Sequence, residues 1–179
     1  RKFNFENFQT FKGIKQGIEN TNYLLRSKNK KFILTIFEKR VLKKEIPFFM
    51  KLMDQLSNLN FNCPKPLKNY RGDYLIKVKN KTACVVSFLD GKDKKKLNFK
   101  NCFDIGKTVA QMHLSTKKLK LYRKNSMGIK NLNPLLKSIK FKGNKFSKID
   151  LFLKNNFKEI NKHWPKKLPH GIIHGDLFI

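Results

Sequence analysis

Hydrophobic and polar positions alternate with the period of β-strands over much of the first 90 residues. The stretch FKGIKQGIENTNYLL, residues 11–25, has two alternating runs around a polar centre, which predicts a strand, a turn and a second strand. The run FILTIF at 32–37 is dense in β-branched and aromatic residues and predicts a third strand. DYLIKV and ACVVSF, with a turn near Asn80 and Lys81, predict a hairpin. The pattern therefore indicates a five-stranded antiparallel sheet.

Three other segments repeat their apolar residues with the spacing of a helix. The first covers about 45–59 and carries Pro47 in its first turn, where the missing N–H costs little. The second follows Asn98, a residue type that caps helix N-termini, and the third runs from about 148 to 162. The positions expected to face a core are Ile46, Phe49, Leu52, Met53, Leu56 and Leu59 in the first helix, Phe99, Cys102, Ile105, Val109 and Met112 in the second, and Ile149, Phe152, Leu153, Phe157 and Ile160 in the third.

The order of these elements predicts an α+β protein with two lobes. A charged connector, GKDKKK, separates the sheet-rich part from the helix-rich part. We therefore expect a sheet lobe with one helix at 1–90 and a mainly helical lobe at 91–179. Residues 116–147 are basic and broken by Gly128, Pro134 and Gly143, so only a connector with some helix is expected there.

The formal net charge of +29 raises the question of a nucleic-acid partner. The lysines are scattered along the chain, and Lys, Asn, Ile and Phe are abundant together, as in proteins from AT-rich genomes. No zinc-finger spacing, basic-zipper heptad or RNA-stacking motif is present, so we do not expect nucleic acid as the main partner. A basic surface also attracts anionic small molecules such as nucleotides.

The remaining bulk features indicate a cytoplasmic protein. With 40% hydrophobic residues the chain has the apolar content that a core requires, but it has no run long enough to span a membrane and no apolar signal segment at its start. Cys63, Cys84 and Cys102 lie far apart, so we expect reduced thiols. Because the chain lacks an initial Met and ends just after a catalytic-looking motif, we expect a fragment of a longer protein.

That motif is LPHGIIHGDLF, in which Asp176 lies two positions after His174. An aspartate in such a loop can orient a substrate hydroxyl for phosphoryl transfer, and the histidine can hold the loop through backbone hydrogen bonds. One alternative is an exposed turn with a capping aspartate. Another is a zinc site formed by His170, His174 and Asp176, although the prolines and glycines nearby disfavour the helix that this spacing needs.

The turn between the first two predicted strands is a second candidate. It lacks the Walker sequence, but backbone N–H groups at a strand turn can bind phosphate. An ordinary hairpin is the alternative. The residues concerned are Gly17, Ile18, Glu19, Asn20, Thr21 and Asn22.

Seven segments in this order resemble one enzyme family. They are GIENTNYLL, FILTIFEKR, EIPFFMKLMDQL, CPKPL, ACVVSFLDG, IGKTVAQMH and LPHGIIHGDLF. Together they resemble the type II homoserine kinases of the aminoglycoside phosphotransferase–choline kinase superfamily, which has a protein-kinase-like fold. The resemblance spans essentially all 179 residues.

The resemblance implies a cytoplasmic enzyme that transfers the γ-phosphoryl group of ATP to the side-chain hydroxyl of L-homoserine, on the route to threonine. It implies that Asp176 is the catalytic base, that His174 belongs to its loop and that residues 17–22 cover the phosphates. It also implies that Ser87, Phe88 and Leu89 form a hinge for adenine, and that Glu45 is a counterpart of the kinase glutamate that pairs with a strand lysine.

Two departures from the kinase pattern accompany the resemblance. Thr35 occupies the strand position where many kinases have lysine, so another group would have to meet the phosphates. The expected ligands of Mg²⁺ would lie beyond Ile179, which leaves no metal ligand within the chain and predicts that these 179 residues alone are inactive. A kinase for choline, ethanolamine or an aminoglycoside is the alternative within the superfamily, a non-catalytic nucleic-acid-binding module is the alternative outside it, and the oligomeric state stays open.

Overall fold

The structure is a computed structural model that describes residues 3, 5–15, 19–38, 42–92, 94–139 and 147–177. The strands are β1 (Phe8–Ile14), β2 (Asn20–Ser27), β3 (Lys31–Phe37), β4 (Leu75–Val78) and β5 (Lys81–Ser87). The helices are α1 (Ile46–Asn58), α2 (Phe99–Thr116), α3 (Ile129–Ser138) and α4 (Ser147–His163), with a 3₁₀ turn at Lys43–Glu45 before α1. The predicted α+β class is confirmed.

The five strands form one antiparallel sheet in the order β1-β2-β3-β5-β4. The β4–β5 hairpin turns at Lys79 and Asn80, which both have positive φ, at 44° and 63°. Two such residues in succession are typical of the tight turn whose twist matches the flanking strands. The predicted turn near Asn80 is therefore in place, and β5 lies in the interior of the sheet between β3 and β4.

Helix α1 packs on one face of the sheet, which we call the α1 face. Ile46 and Met50 are buried against Cys84 of β5, and Phe37 and Val86 pack around this cluster. On the opposite face Leu25 and Val85 form a second cluster, with Phe3 of the N-terminal segment. Burial on both faces explains why residues 83–86 are an uninterrupted apolar run and not an alternating one.

The apolar stripe predicted for α1 is largely confirmed. Ile46 and Leu56 are buried, Phe49, Leu52 and Met53 are partly buried, and only Leu59 is exposed by half. Pro47 lies in the first turn, as expected.

The stripes predicted for the two later helices are wrong at most positions. In α2, Phe99 is 88% exposed, and Met112 is the only predicted position that is buried. In α4, Phe152 is 64% exposed. The other predicted positions that are exposed are Cys102, Ile105, Ile149 and Ile160, whereas Val109, Leu153 and Phe157 are partly buried. Apolar periodicity identifies a helix face but not what covers it, and no described residue covers most of these side chains.

The start of α2 agrees with expectation. Asn98 accepts a hydrogen bond from the Asn101 backbone at 2.9 Å, and the Asn101 side chain accepts one from the Asn98 backbone at 3.3 Å. This reciprocal capping box satisfies two N–H groups that the helix itself leaves without partners.

Helix α3 was not predicted as a defined element. Gly128, one of the supposed breaks, stands at its N-cap, and Pro134 lies inside the helix.

The chain divides into two compact units, one of residues 1–122 with 171–177 and one of residues 123–170, taken over the described positions. The predicted lobe boundary near residue 91 stays a prediction. In the described ranges, none of the helices has the length and apolar character that crossing a bilayer would take.

Candidate functional site

The α1 face carries three cross-strand rows of side chains between the first turn of the sheet and its hinge end. Strand pairing aligns Asn20 with Phe37 in the first row. The second row is Ile14, Asn22, Thr35, Cys84 and Leu75, and the third is Lys12, Leu24, Ile33 and Val86. Phe37, Cys84 and Val86 contact the α1 cluster, which fixes the face to which all three rows belong. The face is therefore polar on β2 near the turn and apolar on β2, β3 and β5 in the third row, beyond which Arg26 pairs with Lys31.

The polar centre of these rows is a side-chain pair. Thr35 Oγ1 donates a hydrogen bond to Asn22 Oδ1 at 2.8 Å, and both residues are partly buried. Thr35 was expected to mark a missing lysine. The structure gives its hydroxyl a partner on the neighbouring strand.

Glu38, the residue after β3, forms hydrogen bonds with the start of β2. Its side chain meets Thr21 on the face of the sheet opposite to the α1 face. Thr21 Oγ1 donates to one carboxylate oxygen of Glu38 at 2.8 Å, and Lys81 Nζ donates to the other. The hydrogen bond from Lys81, followed by the one from Thr21, lowers the pKa of Glu38 from its ordinary 4.5. The Glu38 backbone N–H also donates to Asn20 Oδ1, at 3.4 Å. Residues 20–22 are therefore each fastened to β3 or to the residue after it.

The predicted phosphate turn is only partly described. Gly17 and Ile18 lie outside the described residues, so their predicted role stays a prediction. Glu19 is exposed and immediately precedes β2, whereas Asn20, Thr21 and Asn22 are its first three residues. The structure thus brings the polar end of the β2 row directly next to this turn.

The predicted hinge has most of its N–H donors already in use. Ser87 N–H donates to the Lys65 carbonyl at 2.8 Å, and Phe88 N–H donates to the Lys31 carbonyl at 3.1 Å. Lys31 also lies over the Phe88 ring, 5.0 Å from its centroid, and pairs with Asp90. Leu89 makes no backbone hydrogen bond to any described residue. Of the three predicted hinge residues, Leu89 is the one whose backbone N–H is not used by a described residue.

Glu45 lies at the end of the 3₁₀ turn, directly before the first residue of α1. The strand residue with which such a glutamate pairs in kinases is here Thr35, which is engaged with Asn22. The predicted role of Glu45 stays a prediction.

The terminal motif forms an exposed loop. The Asp176 backbone N–H donates to His174 Nδ1 at 3.3 Å, and both side chains are exposed. Gly175 between them has φ of +76°, a conformation that favours glycine. The Asp176 carboxylate is left facing solvent, where an incoming hydroxyl can reach it.

The alternative zinc site is not supported. Helix α4 ends at His163, so His170 and His174 do not lie on a helix. Among the described residues, no group of three His, Cys, Asp or Glu side chains is placed to hold a metal ion. The cysteines are free thiols, and burial raises the pKa of Cys84 to about 12.

Two groups of residues at this site were not predicted from the sequence. Leu24, Ile33 and Val86 were treated as ordinary strand residues, and only the strand pairing shows that they form one apolar row beside the hinge. Glu38 and Lys81 were not singled out, because their contact joins positions 43 residues apart. No local sequence signal identifies either group.

Residues 10–179 match the model of the phosphotransferase enzyme family. The homoserine kinase of Parvibaculum lavamentivorans is 35% identical, over 94% of this chain and 53% of the relative. The homoserine kinase of Paramagnetospirillum magneticum is 36% identical, over 93% of this chain and 52% of the relative. The chain thus spans about half the length of the curated relatives that it matches.

Solved structures show the same fold at low sequence identity. The amicoumacin kinase hAmiN, solved with AMP-PNP, Ca²⁺ and Ami, has a TM-score of 0.73 and 16% identity, over 97% of this chain and 55% of its own. A spectinomycin phosphotransferase solved with ADP and spectinomycin has a TM-score of 0.51 and 11% identity, over 88% of this chain and 51% of its own. With a family match that extends over residues 10–179, the chain belongs to the phosphotransferase enzyme family.

Proposed function

We propose that the protein is an ATP-dependent kinase that phosphorylates the side-chain hydroxyl of L-homoserine. The observation that carries the proposal is the 35% identity to a homoserine kinase over 94% of this chain. The proposed reaction uses cytoplasmic metabolites, and we accordingly propose that the protein acts in the cytoplasm.

The α1 face supports a nucleotide in one orientation. Leu24, Ile33 and Val86 offer an apolar surface for a base, next to Leu89, whose backbone bonds to no described residue. The polar residues of β2 lie at the other end of the same face, beside the turn. A nucleoside triphosphate has the same division between an apolar base and a polar, charged tail, so the described residues fit ATP with its phosphates towards the turn.

The terminal loop supports a role in accepting a proton. In phosphoryl transfer the catalytic carboxylate mainly orients the attacking hydroxyl, because positioning and charge stabilisation contribute most of the rate. Asp176 is exposed and its backbone is held by His174. We propose that Asp176 binds the acceptor hydroxyl and takes its proton, and that His174 keeps the loop in shape.

We propose that Mg²⁺ accompanies ATP, as in other phosphoryl-transfer enzymes. Bound with the nucleotide, it would neutralise the negative charge of the phosphates. Magnesium sites generally combine one or two carboxylates with substrate phosphates and water. No cluster of three metal-binding side chains exists among the described residues, so we assign it no ligand set here.

A coupled assay of ADP release with the full-length protein tests the proposal. We expect ADP release that depends on L-homoserine and yields O-phosphohomoserine, identified by mass spectrometry. Turnover with choline, ethanolamine or an aminoglycoside, and none with L-homoserine, would replace the acceptor but keep the kinase assignment. The absence of ATP consumption with every acceptor, together with salt-sensitive binding to random duplex DNA, would favour the nucleic-acid-binding alternative.

The names of two structural neighbours add two compounds to the acceptors worth assaying. The neighbour with the TM-score of 0.73 is an amicoumacin kinase, and another is a spectinomycin phosphotransferase. Amicoumacin and spectinomycin therefore belong in the acceptor panel. At 16% and 11% identity these likenesses concern the fold, so L-homoserine remains the first proposal.

A further inference from the structure

The α1 face near the phosphate turn has no charged residue on the three strands at its centre. Kinases commonly place a lysine there to meet the phosphates. Here the hydroxyl of Thr35 is engaged with Asn22. In the rows nearest the turn, the described residues of β2, β3 and β5 that share this face are Asn20, Asn22, Leu24, Ile33, Thr35, Phe37, Thr82, Cys84 and Val86, whereas Arg26 and Lys31 form a row farther from the turn. None of the residues in the rows nearest the turn is ionised at neutral pH, since Cys84 has a pKa of about 12.

Two carboxamides occupy this region instead. Asn20 and Asn22 are two positions apart on β2, so their side chains leave the same face of the strand. The oxygen of each is already bonded towards β3. Asn22 Oδ1 accepts from Thr35 Oγ1 at 2.8 Å, and Asn20 Oδ1 accepts from the Glu38 backbone N–H at 3.4 Å.

These two bonds determine what the carboxamides can offer a ligand. A carboxamide has one acceptor oxygen and one NH₂ group with two donors. With both oxygens occupied by donors from the β3 side, the groups left to bind a ligand are the two NH₂ groups. No described residue accepts a hydrogen bond from either NH₂ group. Both residues are partly buried, so a ligand that met them would be partly shielded from water.

We propose that the side-chain NH₂ groups of Asn20 and Asn22 donate hydrogen bonds to the phosphate oxygens of the nucleotide and replace the strand lysine. Thr35 is the positioning residue, because its hydroxyl fixes which way the Asn22 carboxamide faces. The inference rests on the proposed function, since it concerns the same nucleotide site. It adds a neutral phosphate-binding pair whose selectivity depends on donor geometry and not on charge.

Lys12, a cation on the same face, is a competitor for this role. Lys12 of β1 pairs with Leu24, one row farther from the turn than Asn22. It is exposed, and its side chain is long enough to reach along the strand. An experiment must therefore separate the carboxamides from Lys12.

The test compares binding of adenosine and of the ATP analogue AMP-PNP to the full-length protein by calorimetry. Asn22→Asp keeps an oxygen for the Thr35 hydroxyl but replaces the donor with a negative charge. We expect AMP-PNP binding to weaken by roughly 100-fold and adenosine binding to change little, because hydrogen bonds to charged groups are among the stronger ones. Thr35→Val should weaken AMP-PNP binding by roughly 10-fold, and Thr35→Ser, which keeps the donor, should restore most of it. The ratio of the AMP-PNP affinity to the adenosine affinity distinguishes the two explanations. Loss of a phosphate contact lowers this ratio, whereas a general structural defect weakens the binding of both ligands.

Each outcome decides a different question. AMP-PNP binding that is unchanged in both Asn22→Asp and Thr35→Val overturns the inference and leaves the proposed function standing. If Lys12→Gln alone removes the preference for AMP-PNP over adenosine, the inference is likewise overturned and the proposed function still stands. If the folded wild-type protein binds neither ligand, the proposed function fails and the inference fails with it. Should Asn22→Asp not fold, the Thr35→Val and Thr35→Ser pair still gives the answer.

Discussion

Thr21 and Glu38 are joined by a 2.8 Å hydrogen bond from the hydroxyl to the carboxylate, which fastens the start of β2 to the residue that follows β3. Lys81, at the start of β5, donates to the other carboxylate oxygen. One carboxylate therefore links three strands of the sheet beside the turn that we propose for phosphate binding.

The stability that Glu38 provides should depend on pH. Its pKa is lowered from 4.5 in the folded protein, chiefly by the Lys81 hydrogen bond. The stabilisation is therefore fully present above about pH 4.5 and is lost as the pH falls through the lowered folded pKa. We expect the difference in free energy of unfolding between wild type and Glu38→Gln to be larger at about pH 7 than at about pH 3, as measured by urea denaturation. An equal difference at both pH values would show that the carboxylate charge is not involved.

Ile46 should be a major source of stability in the α1 contact. It is fully buried against Met50 and Cys84. Ile46→Val should cost about 0.5–1.5 kcal/mol and Ile46→Ala about 2–5 kcal/mol, because each leaves a cavity between helix and sheet. The matched control is Leu59→Ala at the other end of the helix, where the side chain is 52% exposed and the cost should stay below about 1 kcal/mol. Equal losses at both sites would contradict the packing described for α1.

Ile46 and Leu59 were both predicted to face a core, but only Ile46 is buried. The helical period identified α1, and the strand contacts bury most of the predicted stripe. The same period in α2 and α4 predicted burial for side chains such as Phe99 and Phe152, which are exposed. A period is set by the helix itself, whereas burial depends on the partner that covers the face.

The residues of the candidate site were likewise only partly predictable from the sequence. His174 and Asp176 were found because a short motif keeps them together in sequence. The Asn22–Thr35 pair and the Glu38–Lys81 contact were not, because strand pairing creates them between residues that are 13 and 43 positions apart. Local patterns specify elements and loops, but the register of a sheet decides which polar groups meet.

The cysteines should react with alkylating reagents in a fixed order. Cys84 is buried and its pKa is raised to about 12, so at about pH 8 only roughly one in 10⁴ molecules carries its thiolate. Cys102 is exposed on α2. We expect iodoacetamide to label Cys102 in the folded protein and Cys84 only after unfolding in urea, with peptide mass spectrometry as the measurement. Rapid labelling of Cys84 without denaturant would mean that β5 is not buried beneath α1.

Gly175 should matter for activity more than for stability. Its φ of +76° is strained for any residue with a Cβ, although no neighbouring atom lies where that Cβ would go. Gly175→Ala should therefore shift the loop between His174 and Asp176 and lower kcat by roughly 10- to 100-fold, because small misplacements of a catalytic group are costly. Gly171→Ala is the matched control, since Gly171 also has open space around it and no positive φ. If the two variants turned over equally, the loop conformation at Gly175 would have no catalytic importance.

Asp176→Asn is the sharpest test of the proposed chemistry. The substitution keeps the size of the side chain and removes the group that would take the acceptor proton, so kcat in the full-length protein should fall by about 10²–10⁴-fold. The affinity for AMP-PNP and the midpoint of thermal unfolding should stay close to wild type, because Asp176 is exposed and, among the described residues, its carboxylate makes no hydrogen bond. Asp104→Asn, an equivalent change at an exposed position of α2, controls for the loss of a surface charge. Turnover by Asp176→Asn at the level of Asp104→Asn would remove Asp176 from the reaction. A parallel loss of AMP-PNP affinity would instead assign the carboxylate to nucleotide binding.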